Sequence, residues 1–379
     1  MPQPSIWEKE SFFRKQDIVV TGSGLNGLWS ALYLKERFPE KQITILERGP
    51  IPSGASTRNA GFACFGSAGE LVSYLQEMPA EQVWQLAQMR FRGLQTIRRY
   101  FGDEEIGYRQ WGGYELFDAQ KPDYAEQVYE QLEDLNRELA VITGEQQVFR
   151  DASARIAEFR FSGIGHLLYN PLEGQLHSGK LVRCLTETIL KAGVQILTGF
   201  ELKAWEELPG RVSLHLSGGL SMDTDQLLIC TNGFAAELAP QLNVVPARGQ
   251  VLVTDAIPGL TIQGAFHYDE GFYYFRNLDG NRLLIGGARN SAFEEETSSV
   301  METTERIQEQ LESFLREKII PGKSFTVTDR WSGIMGMGKE KTPIIQALGA
   351  RTVCCVRMSG MGVALAPEAA KIAVDLLCE

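Results

Sequence analysis

The chain has 379 residues, 44% of them hydrophobic, with 37 Lys and Arg against 48 Asp and Glu, a formal net charge of −11. That length and apolar content argue for a large core divided over two domains and against a disordered chain. The acidic balance, without any long basic run, argues against a nucleic-acid partner, and no stretch approaches the roughly 20 apolar residues of a membrane span.

From Met1 to Gln16 the residues Trp7, Glu8, Lys9, Glu10 and Arg14 interrupt any apolar core of the kind a signal peptide needs, so the expected location is the cytoplasm. The first regular element is the β-branched run Asp17–Thr21, which stops at a glycine cluster. Leu25, Leu28, Ala31 and Leu32 then recur at helical spacing until Pro39. A second apolar run, Gln42–Leu46, ends in Glu47 and completes a βαβ unit. Residues 71–139 read as amphipathic helices interrupted by a strand around Tyr114–Phe117, and a further helix runs from about Ser178 to Ala192, with Gly193 as its C-terminal stop. Strands follow at Val194–Leu197, Val212–Leu216 and Gln226–Cys230. From Gln250 the pattern becomes that of an antiparallel sheet, with strands at Val251–Thr254, Phe272–Phe275 and Leu283–Gly286, followed by a polar helix over Glu302–Lys318. The chain closes with a strand at Val353–Arg357, a glycine turn at Ser359–Gly362 and a helix over Pro367–Leu377. Parallel β/α segments at both ends and in the middle, with other material between them, predict an α/β protein: a discontinuous Rossmann-type domain over 1–80, 145–245 and 326–379, and a substrate domain of antiparallel sheet plus helices over 81–144 and 246–325.

Gly22, Gly24 and Gly27 form G-x-G-x-x-G after a strand and at the start of a helix, the context in which the motif binds a dinucleotide. The first glycine permits the turn, the second lets a diphosphate approach the backbone, and the third lets helix and strand pack. Glu47 stands twenty residues beyond Gly27, placed to accept from ribose hydroxyls, and a Glu there argues against a 2′-phosphate. These features alone leave FAD and NAD both open. The six cysteines, Cys64, Cys184, Cys230, Cys354, Cys355 and Cys378, show no CxxC spacing and no partnering histidine pattern, so neither a metal site nor a disulfide framework is expected.

The segment Gly54–Gly61, directly after the second strand, resembles the loop that runs along FAD in the D-amino-acid oxidase-like superfamily, which includes glycine oxidase, sarcosine oxidase and D-amino-acid dehydrogenase. Leu172–His177, Ile229–Gly233 and Ser359–Gly362 are similar to further motifs of that family, in the same order along nearly the whole chain. The resemblance implies non-covalent FAD, because the cysteine that attaches the flavin in the sarcosine-oxidase branch has no counterpart between Met335 and Ile345. It implies cofactor contacts at Gly22, Gly24, Leu25, Asn26, Gly27, Glu47, Arg48, Ala55, Ser56, Thr57, Asn59, Ala60, Gly61, Leu202, Thr231, Gly333, Gly360, Met361, Gly362 and Val363. It further implies a small-molecule substrate, a C–H bond beside an amine or hydroxyl that loses hydride to flavin N5, and oxygen, a quinone or another carrier as electron acceptor.

The sequence departs from the family at two positions. An arginine that clamps substrate carboxylates is replaced by Met335, leaving Arg58, Arg276 and Arg357 as candidate substrate-facing cations and Tyr274 as the candidate tyrosine, since Tyr273 and Tyr274 alternate across their strand. An oxygen-activating lysine of the sarcosine-oxidase branch is replaced by Leu284. The leading expectation is oxidation of a small amine or amino-acid derivative. A 2-hydroxy-acid dehydrogenase, a nicotinamide-dependent dehydrogenase and a flavin-binding protein with a degenerate pocket are the alternatives.

Overall fold

The computed structural model describes residues 4–379. The chain forms two compact units: one comprises residues up to Thr57, Ser178–Ala247 and Ile334–Glu379, and the other comprises Arg58–His177 and Arg248–Gly333. The division falls at Ala247/Arg248 and Gly333/Ile334, beside the expected boundaries at residues 245 and 326. Residues 58–80 and 145–177 belong to the second unit, where Glu173 accepts the Phe65 N–H at 2.8 Å and Glu115 accepts the Gly69 N–H at 2.9 Å. Those bonds tie the segment after the flavin-type loop to residues 46 and 108 positions further along the chain, which local pattern does not report.

In the first unit, the parallel strands Thr352–Val356, Ser221–Ile229, Gln16–Thr21, Ile43–Glu47 and Gln195–Thr198 lie side by side in that order, with Ile344–Ala347 antiparallel at one edge. Strands Leu202–Leu208 and Arg211–Leu216 form a meander with Ser221–Ile229. Helix Leu25–Arg37 buries Leu28, Ala31 and Leu32, the stripe its spacing predicts. The C-terminal helix is Gly362–Leu377, five residues longer at its start than expected, because Pro367 sits inside it rather than at its first turn. This is the order of a Rossmann-type sheet, and the glycine turns all lie at the carboxyl ends of its strands.

The second unit is built on a sheet in the order Val327–Met337, Val245–Thr254, Arg282–Gly287, Tyr273–Leu278, Ala265–Tyr268, Gly113–Asp118, Ile164–Asn170 and Arg150–Asp151. From Val245–Thr254 to Arg150–Asp151 it is antiparallel apart from the parallel pairing of Ala265–Tyr268 with Gly113–Asp118. One face carries Leu252, Phe266, Phe275, Leu283 and Ile285, packed with Ile307, Leu311 and Phe314 of helix Glu305–Phe314. That helix passes into a wider turn at Leu315–Ile319. The other face carries Val251, Val253, Leu284 and Tyr274 with Ala60, Phe62 and Trp331. Tyr273 stacks on Phe314 at 4.7 Å on the first face while Tyr274 meets Phe62 at 5.7 Å on the second, the alternation a strand imposes. Among the described residues no helix is long and apolar enough to cross a membrane.

Candidate functional site

Strand Gln16–Thr21 delivers the backbone to Gly22, whose φ is +92° and whose position leaves only 2.9 Å between a would-be Cβ and the Cys230 carbonyl oxygen. At Gly27 a Cβ would stand 1.9 Å from the Gly22 carbonyl, so the first turn of the helix can seat on the glycine turn only without a side chain there. Gly24 faces Ser56, whose Oγ would lie 2.8 Å from a Cβ and accepts the Leu25 N–H at 2.9 Å. Gly24 is also the N-cap of this helix and supplies no side-chain cap. Ala55, Ser56 and Thr57 form a short turn, fixed where the Thr57 hydroxyl donates to the Pro52 carbonyl at 2.7 Å. Asn26 points away from the turn: its Nδ2 donates to the Cys355 carbonyl at 3.1 Å and pins the helix to the neighbouring strand.

Glu47 is 8% exposed at the end of the second strand. One carboxylate oxygen accepts the Ser23 N–H at 3.0 Å and hydroxyl at 2.7 Å, and the other accepts the Gly49 N–H at 2.8 Å. Two turns thus orient the carboxylate at the end of the strand. Next to it the Arg48 guanidinium lies 3.7 Å from the ring centre of Phe234. The Leu202 side chain is buried in the unit's core, which leaves its backbone as the part able to meet a ligand.

Thr231 follows strand Ser221–Ile229, and its hydroxyl is buried without a hydrogen-bond partner. The Ser359 hydroxyl shares that condition, in a turn where Ser359 and Gly360 take φ of +48° and +82°. Helix Gly362–Leu377 starts directly afterwards, with Met361 as an N-cap that offers no side-chain acceptor, so Gly362 and Val363 present the positive end of a 16-residue helix. The Met335 sulfur lies 3.6 Å from where a Cβ on Gly360 would be. Arg357 is committed elsewhere: its Nε donates to the Thr342 carbonyl at 3.1 Å and its Nη2 pairs with Glu340 at 2.9 Å. Helix starts whose N-cap residues bring no cap of their own, two unpartnered hydroxyls and a held carboxylate fit a diphosphate-bridged dinucleotide, with N–H groups for phosphate and an acceptor for ribose.

In the second unit, the Arg58 Nη1 donates to the Ser332 carbonyl at 2.9 Å while the Arg58 carbonyl accepts from Trp331 Nε1 at 2.9 Å, a two-way tie to the strand that continues through Gly333. The Asn59 Oδ1 accepts the Gly61 N–H at 2.8 Å. Arg276, 8% exposed, directs its Nη1 to the carbonyls of Gly61 and Leu176, both at 2.8 Å. Its guanidinium fills the space beside Gly61, where a Cβ would come within 2.6 Å of Nη1. Burial lowers the Arg276 pKa to about 10, which leaves it cationic at neutral pH. The Tyr274 ring lies over Gly286, where a Cβ would come within 2.5 Å of it, and burial pushes its phenol up to about 12.

The same unit gathers ionisable groups that no local motif announces. Burial raises both Glu115 and Glu173 to about 7, and it lowers His267 to about 4. Glu70 pairs with Arg90 at 3.0 Å, with the arginine side chain only 1% exposed. Cys64, Glu173 and His267 lie with their ligand atoms within 4.8 Å of one another.

The fold and the glycine-turn geometry define a two-unit protein of the dinucleotide-binding α/β class. A family model described as FAD dependent oxidoreductase matches residues 17–376, and the chain belongs to that family, whose cofactor is FAD. Among solved structures, a glycine oxidase from Geobacillus kaustophilus matches with a TM-score of 0.78 at 19% identity, over 96% of this chain and 95% of its own. An L-proline dehydrogenase from P. horikoshii gives 0.75 at 16% identity over 96% and 94%, and an iminodiacetate oxidase from Chelativorans sp. BNC1 gives 0.71 at 17% over 95% of both chains. The curated bifunctional protein ThiO/ThiG of Synechocystis sp. is 25% identical over 240 residues, 62% of this chain and 32% of that protein, so the match spans about a third of that relative's length.

Proposed function

We propose that this protein is an FAD-dependent enzyme that oxidises the C–H bond beside nitrogen in a small amine or amino-acid derivative. The observation that carries the reading is the family match over residues 17–376, joined to a glycine turn whose three glycines each leave room that a side chain would close. FAD, when bound, supplies a two-electron acceptor. Gly22, Gly24, Leu25, Gly27 and the Ala55–Thr57 turn would hold its diphosphate. Glu47, Arg48, Thr231 and the Leu202 backbone would meet the adenosine half, and Gly360, Met361, Gly362 and Val363 would place helix N–H groups where negative charge is stabilised. The resemblance assigns Arg58, Asn59, Ala60, Gly61 and Gly333 to the cofactor as well. Asn26 acts through the strand it pins, not by touch.

Among the candidate cations, Arg276 and Arg357 are bound to backbone carbonyls and Glu340, so we take them as positioning residues and Tyr274 as the residue that faces substrate. Met335, beside the Gly360 turn, puts a thioether where the resemblance implies an arginine that clamps the substrate carboxylate. A substrate whose recognition rests on its amine and apolar parts suits that position better than a simple α-amino acid. The compounds those neighbours are named for, glycine, proline and iminodiacetate, all carry nitrogen on a carbon that bears hydrogen. Leu284, 5% exposed, stands where an oxygen-activating lysine would be, which favours a quinone or carrier over oxygen as acceptor. Six free cysteines, five of them buried, suit a reducing cytoplasm.

The test is anaerobic addition of N-methyl amino acids, amines, D- and L-amino acids and 2-hydroxy acids to the yellow protein. Bleaching by an amine class supports the reading, and readmitted oxygen then separates oxidase from dehydrogenase. Bleaching by 2-hydroxy acids alone replaces it with the hydroxy-acid reaction. A spectrum that no compound changes would leave a flavoprotein with a degenerate pocket.

A further inference from the structure

Three side chains from separate segments converge in the second unit: Cys64 after the flavin-type loop, Glu173 before strand Gly174–Gln175, and His267 in strand Ala265–Tyr268. One ligand atom from each lies within 4.8 Å of the other two. Bound zinc with tetrahedral geometry separates such atoms by roughly 3.5 Å, so side-chain rotations that close about 1 Å complete the set.

The surroundings are those of a ligand shell. Glu173 is held from one side, where a single carboxylate oxygen accepts the N–H groups of Phe65 at 2.8 Å and Gly66 at 3.3 Å. Such outer bonds fix the orientation of a ligating carboxylate. The His267 Nε2 is shut off from solvent and has no hydrogen-bond partner, an expensive condition for an imidazole acceptor unless something else occupies its lone pair. Phe62 packs edge-on against the His267 ring at 5.0 Å and fixes its plane. Cys64 is 1% exposed, and its thiol has only the distant Gly174 carbonyl, at 3.8 Å, and Glu173 to meet.

We propose that Cys64, Glu173 and His267 form a divalent transition-metal site, selective for Zn2+, with a fourth position open. A thiolate, a carboxylate and a neutral imidazole together carry two negative charges, which neutralise Zn2+ in a buried setting. Binding displaces the thiol and carboxyl protons to solvent. Thiolate and imidazole favour zinc over the hard cations magnesium and calcium. The three ligands do not form a sequence motif, since each comes from a different part of the chain.

The experiment uses the full-length, FAD-loaded protein, stripped with a chelator and then titrated with ZnCl2. The expected result is one tightly held zinc per chain by elemental analysis, with an X-ray absorption spectrum containing a sulfur shell at about 2.3 Å and nitrogen or oxygen at about 2.0–2.1 Å. Cys64→Ser and His267→Ala should each weaken zinc binding at least roughly 10-fold, the scale of lost ligand support. Cys378→Ser, at the more accessible cysteine, should leave it unchanged. Absence of zinc uptake, a spectrum without sulfur, or loss of binding in Cys378→Ser would each overturn the proposal. The absorption spectrum decides even if the Cys64 and His267 variants do not fold, and none of these readouts depends on flavin turnover.

Discussion

The two units place their polar groups in opposite ways. In the first, the functional backbone comes from short contiguous stretches at strand ends, and the constraint at each position is space: a Cβ at Gly27 collides with a carbonyl at 1.9 Å. In the second, Arg90, Glu115, Glu173 and His267 come from four segments and are brought together inside a sheet-backed interior, where the constraint is the cost of burying charge. A steric site of the first kind can be read from a short motif, whereas an electrostatic site of the second kind exists only once the chain has folded.

The sharpest contrast lies between glycines. Gly27→Val should cost about 3 kcal/mol in denaturant unfolding and yield protein without flavin, because backbone must move to admit the side chain. Gly54→Ala, where a Cβ meets nothing within 4 Å, should change neither stability nor colour. If both variants behaved alike, the steric account of the first unit would fail.

For the second unit, the corresponding lever is pH, read on chelator-treated protein so that no metal competes for the Glu173 proton. Glu115 and Glu173 have folded pKa values of about 7 against an ordinary 4.5, so between these pH values the folded state binds more protons than the unfolded one. Their contribution is therefore fully present below about pH 4.5 and is lost as pH rises through 7, by roughly 3 kcal/mol for each group. Melting temperatures should fall between pH 5 and 7.5, and Glu115→Gln should flatten the decline by about half. A stability that rose with pH over that window would show the carboxylates to be ionised and paired instead.

Arg276→Met leaves the Gly61 and Leu176 carbonyls without their donor and should cost about 2 kcal/mol, with Arg276→Lys recovering part of it. Were Arg276→Met to keep full stability while losing substrate affinity, Arg276 would be a substrate residue rather than a positioning one. Tyr274→Phe should have the smallest effect on stability, within about 0.5 kcal/mol, while changing kcat or KM for the amine substrate. Unaltered kinetics would remove Tyr274 from the substrate-facing surface.

What the sequence discloses follows the same division. The βαβ unit, the terminal Glu47 and the Tyr273/Tyr274 alternation are set by local spacing, and the structure has them at or within a residue or two of their expected places. Pro367 misleads because a proline usually marks a helix start, yet here it lies inside the helix Gly362–Leu377. Glu70 and Glu115 give no local signal, each being one acid in an ordinary helix or strand, and Glu173 lies in the Leu172–His177 motif, which announces neither its charge state nor its partners. Arg276 and Arg357 look like cations free for substrate until their carbonyl partners are seen, and those partners are 215 and 15 residues away in the chain.

The most direct test is to purify the protein, precipitate it with acid and measure the flavin left in solution. The account predicts a yellow protein that releases about one FAD per chain and leaves a colourless pellet. Flavin retained covalently in the pellet, or protein that stays colourless after incubation with FAD, would contradict it.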